Sequence, residues 1–263
     1  MTVRDRPPKF GLSSGPVPPR RRWLDWLDIA VLLCWGLLLL KYWLSGQIYF
    51  LLHPNYIWLA IAAGLGLLAL GLWRMLQRLS SRQSAAPAQH ISLIPRRWNT
   101  MLLLVIAVLG LVSSPRPFTS NIALQRGVTD TLTLTRSQPQ SFSLSQNPSD
   151  KSLLDWIGTL NVYPEPDAYE GQAVAVDGFV VLPPELPSGY FILSRFVITC
   201  CAADAYPVGL PVNLPAGAAS PAADQWMRVS GTMASETLSG ERQLVIQAAE
   251  LVEIPQPKNP YES

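Results

Sequence analysis

Charge is scarce in this chain. Asp, Glu, Lys and Arg make up 14% of its 263 residues, against about 25% in ordinary soluble proteins. Histidine is nearly absent, with only His53 and His90. Three cysteines, Cys34, Cys200 and Cys201, are too few for a disulfide framework. No phosphate-binding Gly-rich loop with its Lys and no His-Glu-x-x-His pair occurs, and the one Gly-x-Ser-x-Gly string, Gly11–Gly15, lies in the Pro/Arg-rich arm, without the strand-to-helix setting a nucleophile elbow needs. Neither histidine lies in the C-terminal half, so a Ser-His-Asp triad cannot be assembled there. These absences point to a non-enzymatic protein partly dissolved in lipid.

The few charges are sorted by sign. Residues 1–149 carry 15 Lys/Arg and 4 Asp/Glu, whereas residues 150–263 carry 5 and 14. A basic half suits a membrane surface with anionic headgroups. The acidic half would repel nucleic acid, whose binding depends on phosphate neutralisation, so no nucleic-acid partner is expected.

Along the chain, residues 1–22 hold five prolines and six basic residues and read as a disordered basic arm. The first apolar run begins too far in for a cleavable signal peptide. Three membrane helices are expected within residues 23–114, at about 27–44, 56–73 and 98–114. Trp23, Trp26, Tyr42 and Trp43 bracket the first with interfacial aromatics, and Lys41 can snorkel to the interface. Asp25 and Asp28 suit a helix N-terminus. In the second, Ala60 with Gly64 and Ala62 with Gly66 offer a small-residue face for another helix. The third run is at the lower length limit for a span.

Orientation follows from basic residues. The arm has six, the 45–55 loop none and the 74–97 loop five, which puts the arm inside. If the third run spans, everything after Ser114 lies outside the cytoplasm, tethered to a multi-pass inner-membrane region.

Residues 115–160 read as a linker. Thr129–Thr135 alternates like an edge strand. Asp150–Leu160 forms a short amphipathic helix with Trp156 buried. Residues 161–256 form a β-domain with strands near Gln172–Leu182, Tyr190–Cys201, Pro207–Leu214, Gln225–Ala234 and Gln243–Ile254, and residues 257–263 form a tail. Gly178 marks a bulge or bend. Pro211 and Gly209 make the third strand an edge. Five such strands suit a small OB-like barrel, so the fold class is a membrane protein of α plus β type.

Cys200 and Cys201 invite three readings. Successive strand residues point to opposite faces, so the pair can be simple packing, with one member buried and one reachable. Thiolates bind zinc or copper(I), with Asp204 adding a carboxylate, although adjacency makes joint coordination awkward. A disulfide between neighbours would be strained and labile, which fits redox work. His53, before Pro54, is read as a turn cap, with metal or proton binding as the alternative. Asp204 likewise suits a turn.

Several stretches resemble the YcgQ-like permease subunits, small bacterial membrane proteins encoded beside a larger polytopic permease. They are Gly46–Pro54 (GQIYFLLHP), Arg126–Gly127, Ser152–Trp156 (SLLDW), Val176–Val180 (VDGFV), Trp226–Thr232 (WMRVSGT) and, above all, Arg195–Ala205 (RFVITCCAADA). The resemblance implies an accessory role beside that permease in the lipid bilayer, with a metal cation as the natural solute for an acidic domain with thiols. A membrane-tethered thiol redox protein is the alternative.

Overall fold

A computed structural model describes residues 19–80, 96–128, 148–238 and 240–262. The 129–135 segment read as a strand, His90 and most of the basic arm lie outside the described residues. The chain divides into two compact units: residues 1–41 with 60–114, and residues 42–59 with 115–263.

The first unit contains α1 (Pro19–Leu44), α2 (Ile57–Ser80) and α3 (Arg96–Val112). α1 begins about eight residues earlier than its apolar run, and α2 outlasts its apolar run by seven. Arg, Gln, Leu and Met propagate a helix after hydropathy falls. α1 and α2 are long and apolar enough to cross a membrane, while α3 is shorter. Only 17% and 22% of their apolar windows are buried.

α1 and α2 meet at glycines. A Cβ on Gly36 would lie 2.9 Å from the Gly64 carbonyl oxygen, and one on Gly64 would lie 3.2 Å from Leu39 Cβ. The Ala60–Gly64 face expected to receive another protein is thus used within the chain at Gly64. Gly66 faces open space.

Polar contacts fix α3 beside α1. Near one end, Thr100 Oγ1 donates to Asp28 Oδ1 at 2.9 Å. Near the other, the Lys41 ammonium donates to the Leu111 carbonyl at 2.7 Å and to that of Ser113 at 3.3 Å. These carbonyls are the unpaired acceptors at a helix C-terminus, where a cation is favoured. The two helices therefore run parallel. Asp25 forms an ion pair with Arg78 of α2, so it has a specific partner well inside the helix instead of serving its first turn.

The second unit is built on a six-stranded mixed sheet: β1 (Ala173–Val181), β2 (Tyr190–Val197), β3 (Tyr206–Asn213), β4 (Trp226–Leu238), β5 (Glu241–Glu253) and β6 (Tyr261–Glu262). The pairing order is β1-β4-β5-β3-β2-β6, with β1 also paired to β2. The path through the first five strands thus returns to its start. β6, within the expected tail, adds a parallel pair to β2 through Phe196↔Tyr261.

β3 is not an edge. It ladders along its whole length with β2 and touches β5 in parallel at Val212 and Asn213. Pro207 and Pro211 lie outside that two-residue contact, so their missing N–H groups cost the second ladder nothing.

Two apolar clusters cover the sheet. Val174, Val176, Val180, Phe191, Leu193 and Val197 pack with one short helix, α5 (Leu153–Val162), through Leu153, Trp156, Ile157 and Leu160. Phe179, Val181, Ile192, Phe196 and Ile198 pack on the other side with Ala123 of α4 (Ser120–Gln125). Alternate residues of β1 and β2 go to opposite clusters, which is why β2 reads as a nearly continuous apolar run. α5 starts at a capping box, Ser152 with Asp155, and its Trp156 is fully buried as expected. The described parts of 115–160 pack with the strands, and α4 carries no strong periodic signal in its six residues.

Gly178 does not make a bulge. It stays paired with Met227, and a Cβ there would stand 2.7 Å from the Ser194 carbonyl oxygen of β2. The irregularity lies at Ser230/Gly231. A Cβ on Gly231 would fall 2.0 Å from the Gln247 carbonyl oxygen, an overlap that only backbone movement relieves. Gly231→Ala should therefore cost about 1–3 kcal/mol and lower the melting temperature of the full chain by several degrees, roughly 5 °C. Gly66→Ala, facing open space, is the control that should leave melting unchanged. Equal melting of both variants would show that the β4–β5 ladder has slack at this point.

Candidate functional site

The cysteine turn begins where β2 ends. After Val197 the chain leaves the sheet, and Ala202–Asp204 makes one 3-10 turn. Asp204 organises it. Its carboxylate accepts from the Cys200 N–H at 2.9 Å, the Thr199 and Cys201 N–H groups at 3.4 Å each, and the Thr199 hydroxyl. The turn-residue reading of Asp204 thus describes its geometry.

The pair lies beyond the end of β2 at Val197 and just before the 3-10 turn, so the alternation of β2 does not extend to it. Cys200 Sγ and Cys201 Sγ lie 3.7 Å apart on one side, not on opposite faces. Cys200 is exposed, Cys201 is half-buried, and both are free thiols. One ligand atom each from Cys200, Cys201 and Asp204 fall within 4.8 Å of one another. Among the described residues this is the only such trio.

Electrostatics set their protonation. Burial pushes Asp204 up, but the hydrogen bonds from the Thr199 hydroxyl and the Cys200 N–H and thiol outweigh it and hold the carboxyl down at about 2. The Cys200 thiol, donating to Asp204 and beside Cys201, is pushed up to about 11. At neutral pH the trio is one carboxylate and a protonated Cys200.

The turn is held by distant segments of the same unit. The loop joining α1 and α2 runs antiparallel to it, with Leu52 opposite Cys201. The His53 N–H donates to the Cys200 carbonyl at 3.1 Å, and the Ala202 N–H donates to the Leu51 carbonyl at 2.9 Å. His53 caps the Pro54–Tyr56 turn as expected, its Nδ1 accepting from the Asn55 N–H at 3.2 Å. The Arg126 guanidinium donates to the Ala205 carbonyl and lies 5.0 Å from the Phe118 ring centroid.

β6 closes the other side. The Tyr261 hydroxyl donates to the Phe50 carbonyl at 2.9 Å. Arg195 reaches the carbonyls of Asn259 and Tyr261 at 3.3 Å each and the Glu262 carboxylate at 3.5 Å. The Leu154 N–H donates to Glu262 at 2.7 Å. Burial pushes Glu262 up, with Arg195 opposing.

Residues 141–262 match a known family, described as the DUF1980 C-terminal domain. That match fits the resemblance to the YcgQ-like proteins and includes the whole cysteine turn. No curated protein matches the chain.

Sequence reasoning found Cys200, Cys201 and Asp204, but not that Leu51–His53, Arg126 and Tyr261–Glu262 hold them. The available signal was the uncharged, hydrophobic loop Ile48–Leu52. Such a loop is costly to leave in water, and Ile48 is indeed buried.

Asp204→Asn keeps the shape but gives up the charge. It should destabilise the chain by about 1–3 kcal/mol. It should also lower the Cys200 pKa, because the carboxylate no longer favours the protonated thiol. Alkylation of Cys200 at pH 8, followed in the Cys201→Ser background, should then accelerate, about tenfold for each unit the thiol falls. An unchanged or slower rate would mean that Asp204 does not control this thiol.

Proposed function

We propose that this chain is a non-enzymatic accessory subunit of a larger membrane permease. Its β-unit stands outside the cytoplasm and captures a thiophilic metal cation, zinc or copper, at Cys200, Cys201 and Asp204. The observation that carries this reading is the trio itself: two sulfurs and an ionised carboxylate within 4.8 Å, at the surface of an acidic unit.

Topology supports the location. With the arm inside, α1 emerges into the 45–56 loop, and α3, parallel to α1, emerges at Ser114. Loop and β-unit then share one side of the bilayer, as the Leu51–Ala202 hydrogen bond requires. The exposed apolar side chains of α2, Leu65, Leu70, Leu72 and Trp73, suit lipid or a partner helix, and the open face at Ala62 and Gly66 permits close approach. The pairing order β1-β4-β5-β3-β2, with β1 also paired to β2, supports reading this sheet as a small OB-like barrel. The redox alternative is weaker. The cysteines are adjacent and lack the two-residue spacing of Cys-x-x-Cys redox pairs.

The location is tested with Ser220→Cys, at an exposed position, in a chain whose native cysteines are serine. An impermeant maleimide should label whole cells. Protection until the membrane is broken would put the unit in the cytoplasm. The metal reading is tested on purified chain under reduction, where one zinc or copper(I) per chain should be retained by the wild type and lost from Cys200→Ser and Cys201→Ser variants of unchanged melting temperature.

A further inference from the structure

We infer that His53 is the fourth donor of a tetrahedral zinc site formed with Cys200, Cys201 and Asp204, so that the ion ties the α1–α2 loop to the cysteine turn. This rests on the metal reading above and names the ion and the missing ligand.

The sulfur spacing fits a tetrahedral zinc. Two Zn–S bonds of about 2.3 Å at a tetrahedral angle set their sulfurs about 3.8 Å apart, and here they are 3.7 Å apart. A linear two-sulfur arrangement with bonds of that length would need about 4.6 Å. The turn thus holds a tetrahedral edge, with Asp204 as third donor. The two thiol protons leave to solvent as the thiolates bind.

Closed zinc sites take four protein ligands, and register points to the fourth. Leu52 stands opposite Cys201, which puts His53 opposite Cys200, their backbones joined by the 3.1 Å hydrogen bond. Residues opposed in an antiparallel pair have Cβ atoms about 4.5–5.5 Å apart on one face. Register thus sets the His53 backbone beside Cys200, while its ring nitrogens stand outside the 4.8 Å cluster and must swing inward to bind. Its Nδ1 accepts from the Asn55 N–H at an exposed position. Turning the ring toward zinc exchanges one exposed hydrogen bond for a coordinate bond. The only other histidine, His90, is far along the chain in the 74–97 loop.

The test uses the full chain in detergent under reducing conditions, titrated with zinc and with cobalt(II) as its spectroscopic stand-in. Wild type should bind one ion per chain and give the intense visible bands of tetrahedral cobalt-thiolate. His53→Ala should weaken zinc at least about tenfold, the scale on which even outer partners of a metal act, and alter the cobalt bands. His53→Asn, which keeps a side-chain acceptor for the capped turn, should behave like His53→Ala. Wild-type affinity and spectrum in both variants would overturn the fourth-ligand assignment while leaving the metal reading intact. Weakening in His53→Ala that His53→Asn restores would also overturn it, assigning His53 to loop geometry. A wild type that binds no zinc would sink both.

Discussion

The short antiparallel pairing of Leu51–His53 with Cys200–Ala202 is the constraint on which the rest depends. Two backbone hydrogen bonds and one opposed residue pair are weak alone, each bond contributing about 1 kcal/mol. They persist because buried neighbours hold both partners. Ile48 anchors the loop, Tyr261 takes the Phe50 carbonyl, and Asp204 and Arg126 hold the turn from within. The cysteines therefore face outward from a rigid seat, not from a wandering loop. Preorganised donors of this kind lower the cost of binding a ligand.

Much of the fold was legible because its signals are local. The apolar runs of α1 and α2, the amphipathic spacing of α5 and the alternation of β1 and β4 each follow from a single window of sequence. Trp156 could be placed in the core from helical spacing alone. What was not legible depends on partners far along the chain. β3 looks like an edge because Gly209 and Pro211 interrupt it, and only the two-residue contact with β5 shows how an inner strand accommodates them. β6 has two residues and no period to detect. Gly64 reads equally well as an internal or an external contact, and the Leu39 side chain decides it.

The site divides in the same way. Cys200, Cys201 and Asp204 stand out by chemistry, and their closeness follows from sequence adjacency. The direction of the sulfurs did not follow, because the strand was expected to run through Cys201 and instead ends at Val197. Leaving the sheet after Val197 converts an opposed pair into a same-side pair. His53 was read as a cap, and it is one. Its place beside Cys200 arises from a pairing that spans nearly 150 residues of chain, which no local pattern encodes.

That long separation has a consequence for how the pairing is maintained. A loop whose two ends are both carried by helices has little freedom left to lose when it docks, so the entropy of closing the contact is largely spent before the turn arrives. The turn meets a partner held at high effective concentration, which a free peptide of the same sequence would not match. The same hydrogen bonds that are adequate within one chain would thus be far too few to hold the two segments together as separate molecules.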